Sequence, residues 1–146
     1  MKLYFGKNKE SKEFLAACYH DYTGREIGEV LRTKRGKPYV ESGAHFNVSH
    51  SGDYIACAIS DSPVGVDIEL IREVDYALFE KRCGRKFESS VDFLKYWCER
   101  EARGKLSGEG VFGSSVEAAV SIGIRDGFVY CAASYEPQII DIVDVL

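Results

Sequence analysis

The sequence contains one stretch twice, as CAISDSPVGVDI at residues 57–68 and as CAASYEPQIIDI at residues 131–142. The two copies align without gaps at an offset of 74 residues, and six of the twelve positions are identical. Internal similarity at a fixed offset is typical of chains built from repeated structural units. The repeat therefore predicts an α+β fold of two fused, similar halves that form a pseudo-dimer, with an N-terminal half at 1–63 and a C-terminal half at 64–146. The alternative is a chance match between two strand–turn–strand segments.

The sequence on either side of the repeat predicts further strands and helices. Apolar and polar periodicity predicts strands at 2–5, 27–31, 45–49, 54–60, 64–70, 121–125 and 128–133, and helices at 11–22, 74–83 and about 89–106. Ser89 and Asp92 have the spacing of a capping box at the start of the last helix. An apolar tail at 139–146 completes the chain.

The composition describes an ordinary globular domain, with 45% apolar and 29% charged residues. No apolar run reaches the 18 residues of a membrane span. Nineteen basic and 23 acidic residues give a net charge of −4, which argues against an unselective nucleic-acid binder. Five cysteines without a C-x-x-C motif, behind an N-terminus that is not apolar, predict reduced thiols and a cytoplasmic protein.

An acidic pair, Asp67 and Glu69, lies at the end of the first copy of the repeat, with Glu69 directly after it. Residues two apart on a strand lie on the same face, so both carboxylates project together. Like charges this close are unfavourable unless water or a cation neutralises them, and oxygen ligands favour a hard cation such as Mg²⁺. In the second copy Val143 replaces the glutamate, so only one half keeps the pair. The alternative is two acids at a strand end that face water.

Trp97, Glu101 and Lys105 follow i, i+4, i+8 spacing and form one stripe on the predicted long helix. An acid and a base four residues apart are usually a solvated helix pair. Because Trp97 anchors this stripe, we expect it to face protein or ligand instead. Glu101 would then complete a three-carboxylate Mg²⁺ site with the acidic pair, and Lys105 would contact phosphates as a point charge.

A third motif, FNVSHSG at residues 46–52, combines hydroxyls, an imidazole and a glycine in a pattern suited to anion binding. An exposed histidine without a function is the alternative. A serine hydrolase is excluded on geometry, because Ser49 and His50 are neighbours on a strand and point to opposite faces. The chain also lacks a nucleophile elbow.

Taken in order, these motifs resemble the Sfp-type branch of the 4′-phosphopantetheinyl transferase superfamily. The matching segments are GKP at 36–38, FNVSHS at 46–51, GVDIE at 65–69 and W-x-x-REA-x-x-K at 97–105. The resemblance spans about residues 36–110. It implies Mg²⁺-dependent transfer of 4′-phosphopantetheine from coenzyme A to a serine of an apo acyl or peptidyl carrier protein, releasing adenosine 3′,5′-bisphosphate.

The resemblance also implies a role for each motif residue. The metal ligands would be the carboxylates Asp67, Glu69 and Glu101. The contacts to coenzyme A would be Lys37, Ser49, His50 and Lys105, and the catalytic residues Glu101 and Lys105. One departure is Arg100, which stands where the family usually has a lysine.

The segment at 81–86, KRCGRK, is the densest cluster of cations in the chain. It predicts that Lys81, Arg82, Arg85 and Lys86 bind an acidic carrier protein, with apolar contacts from Phe79 and Phe87. A solvated loop is the alternative. Neither a nucleic acid nor a membrane is expected as a partner.

Two other functions compete with this one. The first is another Mg²⁺-dependent phosphoryl enzyme, such as a nuclease or a phosphatase, built on the same acids. The second is a degenerate relative that binds coenzyme A or a carrier protein without turnover.

Overall fold

The computed structural model describes residues 1–111 and 115–145. Its helices are α1 (Ser11–Thr23), α2 (Ala77–Cys83) and α3 (Ser90–Ser107). Its strands are β1 (Lys2–Lys7), β2 (Leu31–Arg32), β3 (Pro38–Tyr39), β4 (His45–Ser51), β5 (Tyr54–Ser60), β6 (Val64–Leu70), β7 (Ala119–Arg125), β8 (Phe128–Ser134) and β9 (Asp141–Asp144). In the described ranges no helix is both long and apolar enough to cross a bilayer.

The strands form two main sheets and one short hairpin. The larger sheet has the order β4-β5-β1-β9, and the smaller has the order β6-β8-β7. All their pairs are antiparallel except β1 with β9, which is parallel. The short strands β2 and β3 pair only with each other. The expected mixed α+β class is confirmed.

The order strand, helix, hairpin occurs twice along the chain. β1 and α1 precede the hairpin β4–β5, and β6 and α3 precede the hairpin β7–β8. In both sheets the strand that precedes the helix pairs antiparallel with the second strand of the hairpin. The hairpins begin at His45 and Ala119, which are 74 residues apart, as are the copies of the sequence repeat. Each copy of the repeat therefore leaves one sheet and enters the other.

The core lies in three layers, because alternate residues of a strand face opposite sides. Leu3 and Phe5 of β1 pack between the two sheets, whereas Tyr4 packs under α1. On the smaller sheet, alternate residues of β8 pack under α3. The two sheets thus lie face to face, and one helix covers the outer side of each.

Gly65 of β6 determines how closely α3 approaches the smaller sheet. A Cβ atom at this position would collide with the carbonyl oxygen of Ala102 and the amide nitrogen of Leu106. A glycine here lets the helix backbone lie directly on the strand. The C-terminal half of α3, which carries Glu101 and Lys105, is thereby held against β6.

The N-terminus of α3 follows the predicted capping box, and a glycine ends the helix. Ser89 is the N-cap, and its Oγ accepts a hydrogen bond from the amide of Asp92 at 3.1 Å. Gly108 ends the helix with a φ of 76°, a left-handed conformation that favours glycine.

Three predicted elements differ from the structure. Residues 27–30 pair with no strand in the part of the chain that is described, and only Leu31 and Arg32 find a partner, in β3. α2 begins at Ala77 rather than at 74, and the amide of Val74 donates to Ser90 Oγ at 2.9 Å. The apolar tail contributes only β9 (Asp141–Asp144), and Ile139 is 93% exposed.

Candidate active site

Asp67 lies where β4, β6 and α3 meet, and only 5% of its surface is exposed. Its Oδ1 accepts hydrogen bonds from Lys105 Nζ at 2.8 Å and from Ser49 Oγ at 3.2 Å. Its backbone oxygen accepts a third from the thiol of Cys98 at 3.2 Å. Oδ2 is buried and has no hydrogen-bond partner among the described residues. Oδ1 of this carboxylate therefore accepts two hydrogen bonds, whereas Oδ2 accepts none.

Glu69 and Glu101 share the electrostatic field of Asp67. Burial raises the pKa of each glutamate above its usual range, and the charge of Asp67 raises it further. Lys105 opposes this effect at Glu101, and Arg72, whose Nη1 lies 3.3 Å from Glu69 Oε2, opposes it at Glu69. The three carboxylates therefore lie close enough to affect one another electrostatically.

Asp67, Glu69 and Glu101 offer the oxygen ligands that a hard cation prefers, but the three carboxylates do not surround one point. Within the described ranges, no three aspartate, glutamate, histidine or cysteine side chains are arranged to hold a metal ion as they stand. A dication would nevertheless supply what Asp67 Oδ2 lacks, and it would favour the ionised forms of Glu69 and Glu101. The three-carboxylate metal site stays a prediction.

Two lysines predicted to contact coenzyme A are bound within the protein. Lys105 pairs with Asp67, as described above. Lys37 Nζ donates to the backbone oxygens of Leu106 at 2.9 Å and of Val64 at 3.3 Å, and its burial lowers its pKa. Lys37 therefore fastens the end of α3 to the start of β6.

The structure divides the predicted coenzyme A contacts between different places. Lys37 and Lys105 line one cavity of about 290 Å³, together with Arg35, Gly36, Pro38, Asn47, Val48, Gly104, Gly108 and Gly110. His50 is exposed and lines another cavity, of about 410 Å³, beside the start of α1. Ser49 is buried beneath Asp67. The expectation that Ser49 and His50 point to opposite faces of β4 is confirmed.

Sequence reasoning missed the function of Asn47, which accepts a hydrogen bond from the amide of Val66 at 2.8 Å. It also missed the thiol of Cys98, which donates to Asp67. A signal for Asn47 existed in the polar residues at alternate positions of β4. No sequence signal indicates that Cys98 meets Asp67, because that contact joins a helix to a strand 31 residues away.

Trp97 faces protein, as the stripe predicted. Its ring stacks on Phe93 with centroids 6.3 Å apart and meets the edge of Phe79 at 5.5 Å. Beside this cluster, α2 and α3 border a cavity of about 300 Å³ lined by Phe79, Arg82, Cys83, Tyr96, Trp97, Arg100 and Val111. Cys83 is exposed, whereas the other four cysteines are buried and all five are free thiols.

The basic segment at 81–86 is exposed, but its four cations are not equivalent. Arg85 lies 3.6 Å from Asp92 and over the rings of Phe87 and Tyr96. Lys86 lies 3.9 Å from Glu80. Lys81 and Arg82 form no ion pair with the described residues.

The expected apolar contact from Phe87 to a partner protein is wrong. Phe87 is only 7% exposed, because it packs in the core under α3. Phe79 is half-buried and lines the cavity between α2 and α3.

The sequence was compared with known proteins, and no protein-family model matches it. It is 33% identical over 91 residues to 4′-phosphopantetheinyl transferase gsp of Aneurinibacillus migulanus, covering 56% of this chain and 38% of that protein. It is 30% identical over 88 residues to 4′-phosphopantetheinyl transferase Sfp of Bacillus subtilis (strain 168), covering 52% and 39%. It is 31% identical over 134 residues to 4′-phosphopantetheinyl transferase HetI of a Nostoc species, covering 75% and 56%. The chain thus spans less than two thirds of the length of these relatives.

Proposed function

Because this chain is a relative of the Sfp-type 4′-phosphopantetheinyl transferases, we propose that it transfers the 4′-phosphopantetheine group of coenzyme A to a serine of an apo acyl or peptidyl carrier protein. Adenosine 3′,5′-bisphosphate is the other product. The observation that carries the proposal is Asp67, a buried carboxylate with one unpartnered oxygen, in contact with Ser49 and Lys105 from two other motifs.

The fused-half architecture belongs to this proposal. Two runs of strand, helix and hairpin, one in residues 1–63 and one in 64–146, support a pseudo-dimer. The cavity lined by Lys37 and Lys105 lies between residues of both halves, because Asn47 of β4 and Gly104 of α3 also line it. We assign coenzyme A to this cleft between the halves, because ligand-binding sites often lie at the interface between domains.

Asp67, Glu69 and Glu101 would hold Mg²⁺. When bound, the ion offsets negative charge on the two phosphates of the pyrophosphate and aligns them for attack. Asp67 would contribute Oδ2, since its Oδ1 is already hydrogen-bonded to Ser49 and Lys105. The raised pKa values of both glutamates support a cation at this place, because a cation stabilises their ionised forms.

Lys105 and Lys37 would bind the phosphates of coenzyme A. Lys105 already carries its ammonium between Asp67 and the cavity, so a pyrophosphate oxygen can replace Asp67 as its acceptor. Lys37 fixes the end of α3, so it would act both on the ligand and on the position of Lys105. The exposed His50 would contact the adenosine end of the ligand.

Glu101 would take the proton of the carrier serine, directly or through one water. The serine Oγ forms a bond to the β-phosphorus, the bond from that phosphorus to the bridging oxygen breaks, and the bisphosphate leaves with the electron pair. A base acts best when its pKa lies near the working pH. Burial and Asp67 raise the pKa of Glu101, whereas a bound cation would lower it, so the role as base rests on the position of Glu101 beside the other two carboxylates and not on this shift.

The carrier protein would dock on the surface made by α2 and the basic segment, where Lys81, Arg82, Arg85 and Lys86 are exposed. Since the chain has a net charge of −4, a local positive area is needed to attract an acidic partner. A cytoplasmic location fits a chain whose cysteines are all free thiols.

A second candidate is a relative that binds coenzyme A or a carrier protein without turnover. One observation favours it: Arg100 donates to Tyr96 Oη at 3.2 Å and forms no hydrogen bond with the described carboxylates.

Incubation with coenzyme A, Mg²⁺ and an apo carrier protein tests the proposal. We expect the carrier to gain the mass of one phosphopantetheine, and we expect Asp67→Asn to abolish the gain. Asp141→Asn, the same substitution at an exposed acid of β9, is the matched control and should leave the gain unchanged. Binding of coenzyme A without any mass gain would favour the second candidate. Hydrolysis of nucleotides without modification of the carrier would favour a nuclease or phosphatase.

A further inference from the structure

β4 and β6 are joined by side chains and not by a backbone ladder. They are edge strands of different sheets, and no backbone pairing links them. Three alternate residues of β4 each accept one outward amide of β6: Asn47 from Val66 at 2.8 Å, Ser49 from Ile68 at 3.2 Å and Ser51 from Leu70 at 3.0 Å. These three hydrogen bonds set the register between the two sheets.

Ser49 differs from Ser51 in a second hydrogen bond. Its Oγ accepts the amide of Ile68 with a lone pair, so its hydroxyl proton is left to donate, and it donates to Asp67 Oδ1 at 3.2 Å. Ser49 is 5% exposed and is absent from the lining of the cavity that holds Lys37 and Lys105. The single proton of its hydroxyl and one of the two lone pairs are therefore used inside the protein.

These two contacts determine the rotation of the Asp67 carboxylate. Ser49 and Lys105 both hold Oδ1, from β4 and from α3 respectively. Fixing one oxygen of a planar carboxylate fixes the other, which here is Oδ2, buried and without a partner. A buried acceptor left unpaired destabilises the folded state unless a ligand satisfies it.

We propose that Ser49 is a positioning residue that presents Oδ2 of Asp67 to a divalent cation. This inference rests on the proposed function only in taking Asp67, Glu69 and Glu101 as the cation site. Groups that orient a metal ligand typically change metal affinity 10–100-fold when they are removed.

The test is binding of Mn²⁺, alone, to the full chain, followed by electron paramagnetic resonance without coenzyme A or carrier. We expect Ser49→Ala to raise the Kd for Mn²⁺ by about 10–100-fold. Ser49→Thr keeps the hydroxyl and should restore the Kd to within about threefold of the parent. Ser51→Ala is the matched control, because it removes one hydrogen bond of the same series without touching Asp67, and it should leave the Kd unchanged.

A second variant separates a loss of metal binding from a loss of folding. Ser49→Cys fills nearly the same space with a weak donor, so it should fold and still raise the Kd. Thermal unfolding of each variant verifies folding. The inference is overturned if Ser49→Ala and Ser49→Cys bind Mn²⁺ as the parent does, if Ser51→Ala weakens binding equally, or if the parent itself binds no Mn²⁺.

The carrier-modification assay separates this inference from the proposed function. A parent protein that modifies its carrier, with a Mn²⁺ affinity independent of Ser49, keeps the function and loses the inference. A parent whose Mn²⁺ affinity depends on Ser49 but which modifies no carrier keeps the inference and loses the function.

Discussion

Glu101 is half-buried on α3 and lies in the field of Asp67. In the unfolded chain its pKa returns to the usual 4.5, whereas in the folded protein burial and Asp67 raise it. Between these two values the folded state binds more protons than the unfolded state. The free energy of unfolding therefore falls as the pH rises through this window.

Glu101→Gln should remove this pH dependence. We expect the variant to be more stable than the parent at pH 7, with the difference shrinking toward pH 4, where the parent glutamate is protonated. Urea unfolding at pH 4, 5.5 and 7 measures the difference in unfolding free energy between the variant and the parent. Because the same residue is the proposed base, carrier modification should fall by about 10²–10⁴-fold. A variant less stable than the parent at pH 7 would contradict the assigned electrostatics.

At the scale of elements, the position of α3 on β6 depends on Gly65. Gly65→Ala places a methyl group against the backbone of α3, so the helix must move away from the strand. We expect a loss of about 1–3 kcal/mol in the free energy of unfolding, as for overpacked sites. Coenzyme A binding should weaken as well, because Lys105 moves with the helix.

Gly28→Ala is the control for this substitution. Nothing lies within 4 Å of a Cβ at Gly28, and its φ is not in the left-handed region. Its unfolding free energy should stay within about 0.5 kcal/mol of the parent. Equal losses of unfolding free energy in the two variants would contradict the importance of the close contact between α3 and β6.

The elements also mark the limit of what the sequence predicts. α3 was predictable because Ser89, the apolar periodicity and Gly108 are local signals, and β4 to β6 alternate or run apolar between clear turns. β2 was not predictable, because a strand of two residues forms only by pairing with β3. The function of Ser49 was not either, since hydrogen bonds between strands of two sheets leave no spacing in the sequence. Sequence reasoning therefore located Asp67 but assigned its neighbour Ser49 by family resemblance.

At the scale of the molecule, the two sheets share one core. Leu3 and Phe5 of the larger sheet pack against Val66 and Phe128 of the smaller one. In addition, β9 follows β8 of the smaller sheet but pairs with β1 of the larger. Neither sheet can lose its structure without exposing the core face of the other.

We therefore expect a single unfolding transition. Trp97 is the only tryptophan of the chain, and its fluorescence reports on α3, whereas far-UV circular dichroism reports on all elements. The two signals should change at the same urea concentration. A dichroism transition with a second step that the fluorescence lacks would indicate two independent halves.

The surface charge of the molecule leads to a prediction for the carrier protein. Lys81 and Arg82 have no ion-pair partner among the described residues, unlike Arg85 and Lys86. Reversing both to glutamate should raise the KM for the carrier, most at low salt, and leave the affinity for coenzyme A unchanged. Lys12→Glu with Arg25→Glu is the control, because it changes the net charge equally within α1 and just after it, on the helix that covers the other sheet. An equal rise in KM in both pairs would mean that only net charge matters.

Cys83 stands alone among the five thiols in being exposed, and it borders the cavity that Trp97 also lines. The molecule therefore carries its own attachment point for a spectroscopic reporter. A bulky maleimide should couple once to the folded protein and five times to the chain in denaturant, as counted by mass spectrometry. A dye attached there would lie beside the proposed docking surface, and its emission would follow the arrival and departure of a carrier protein in real time.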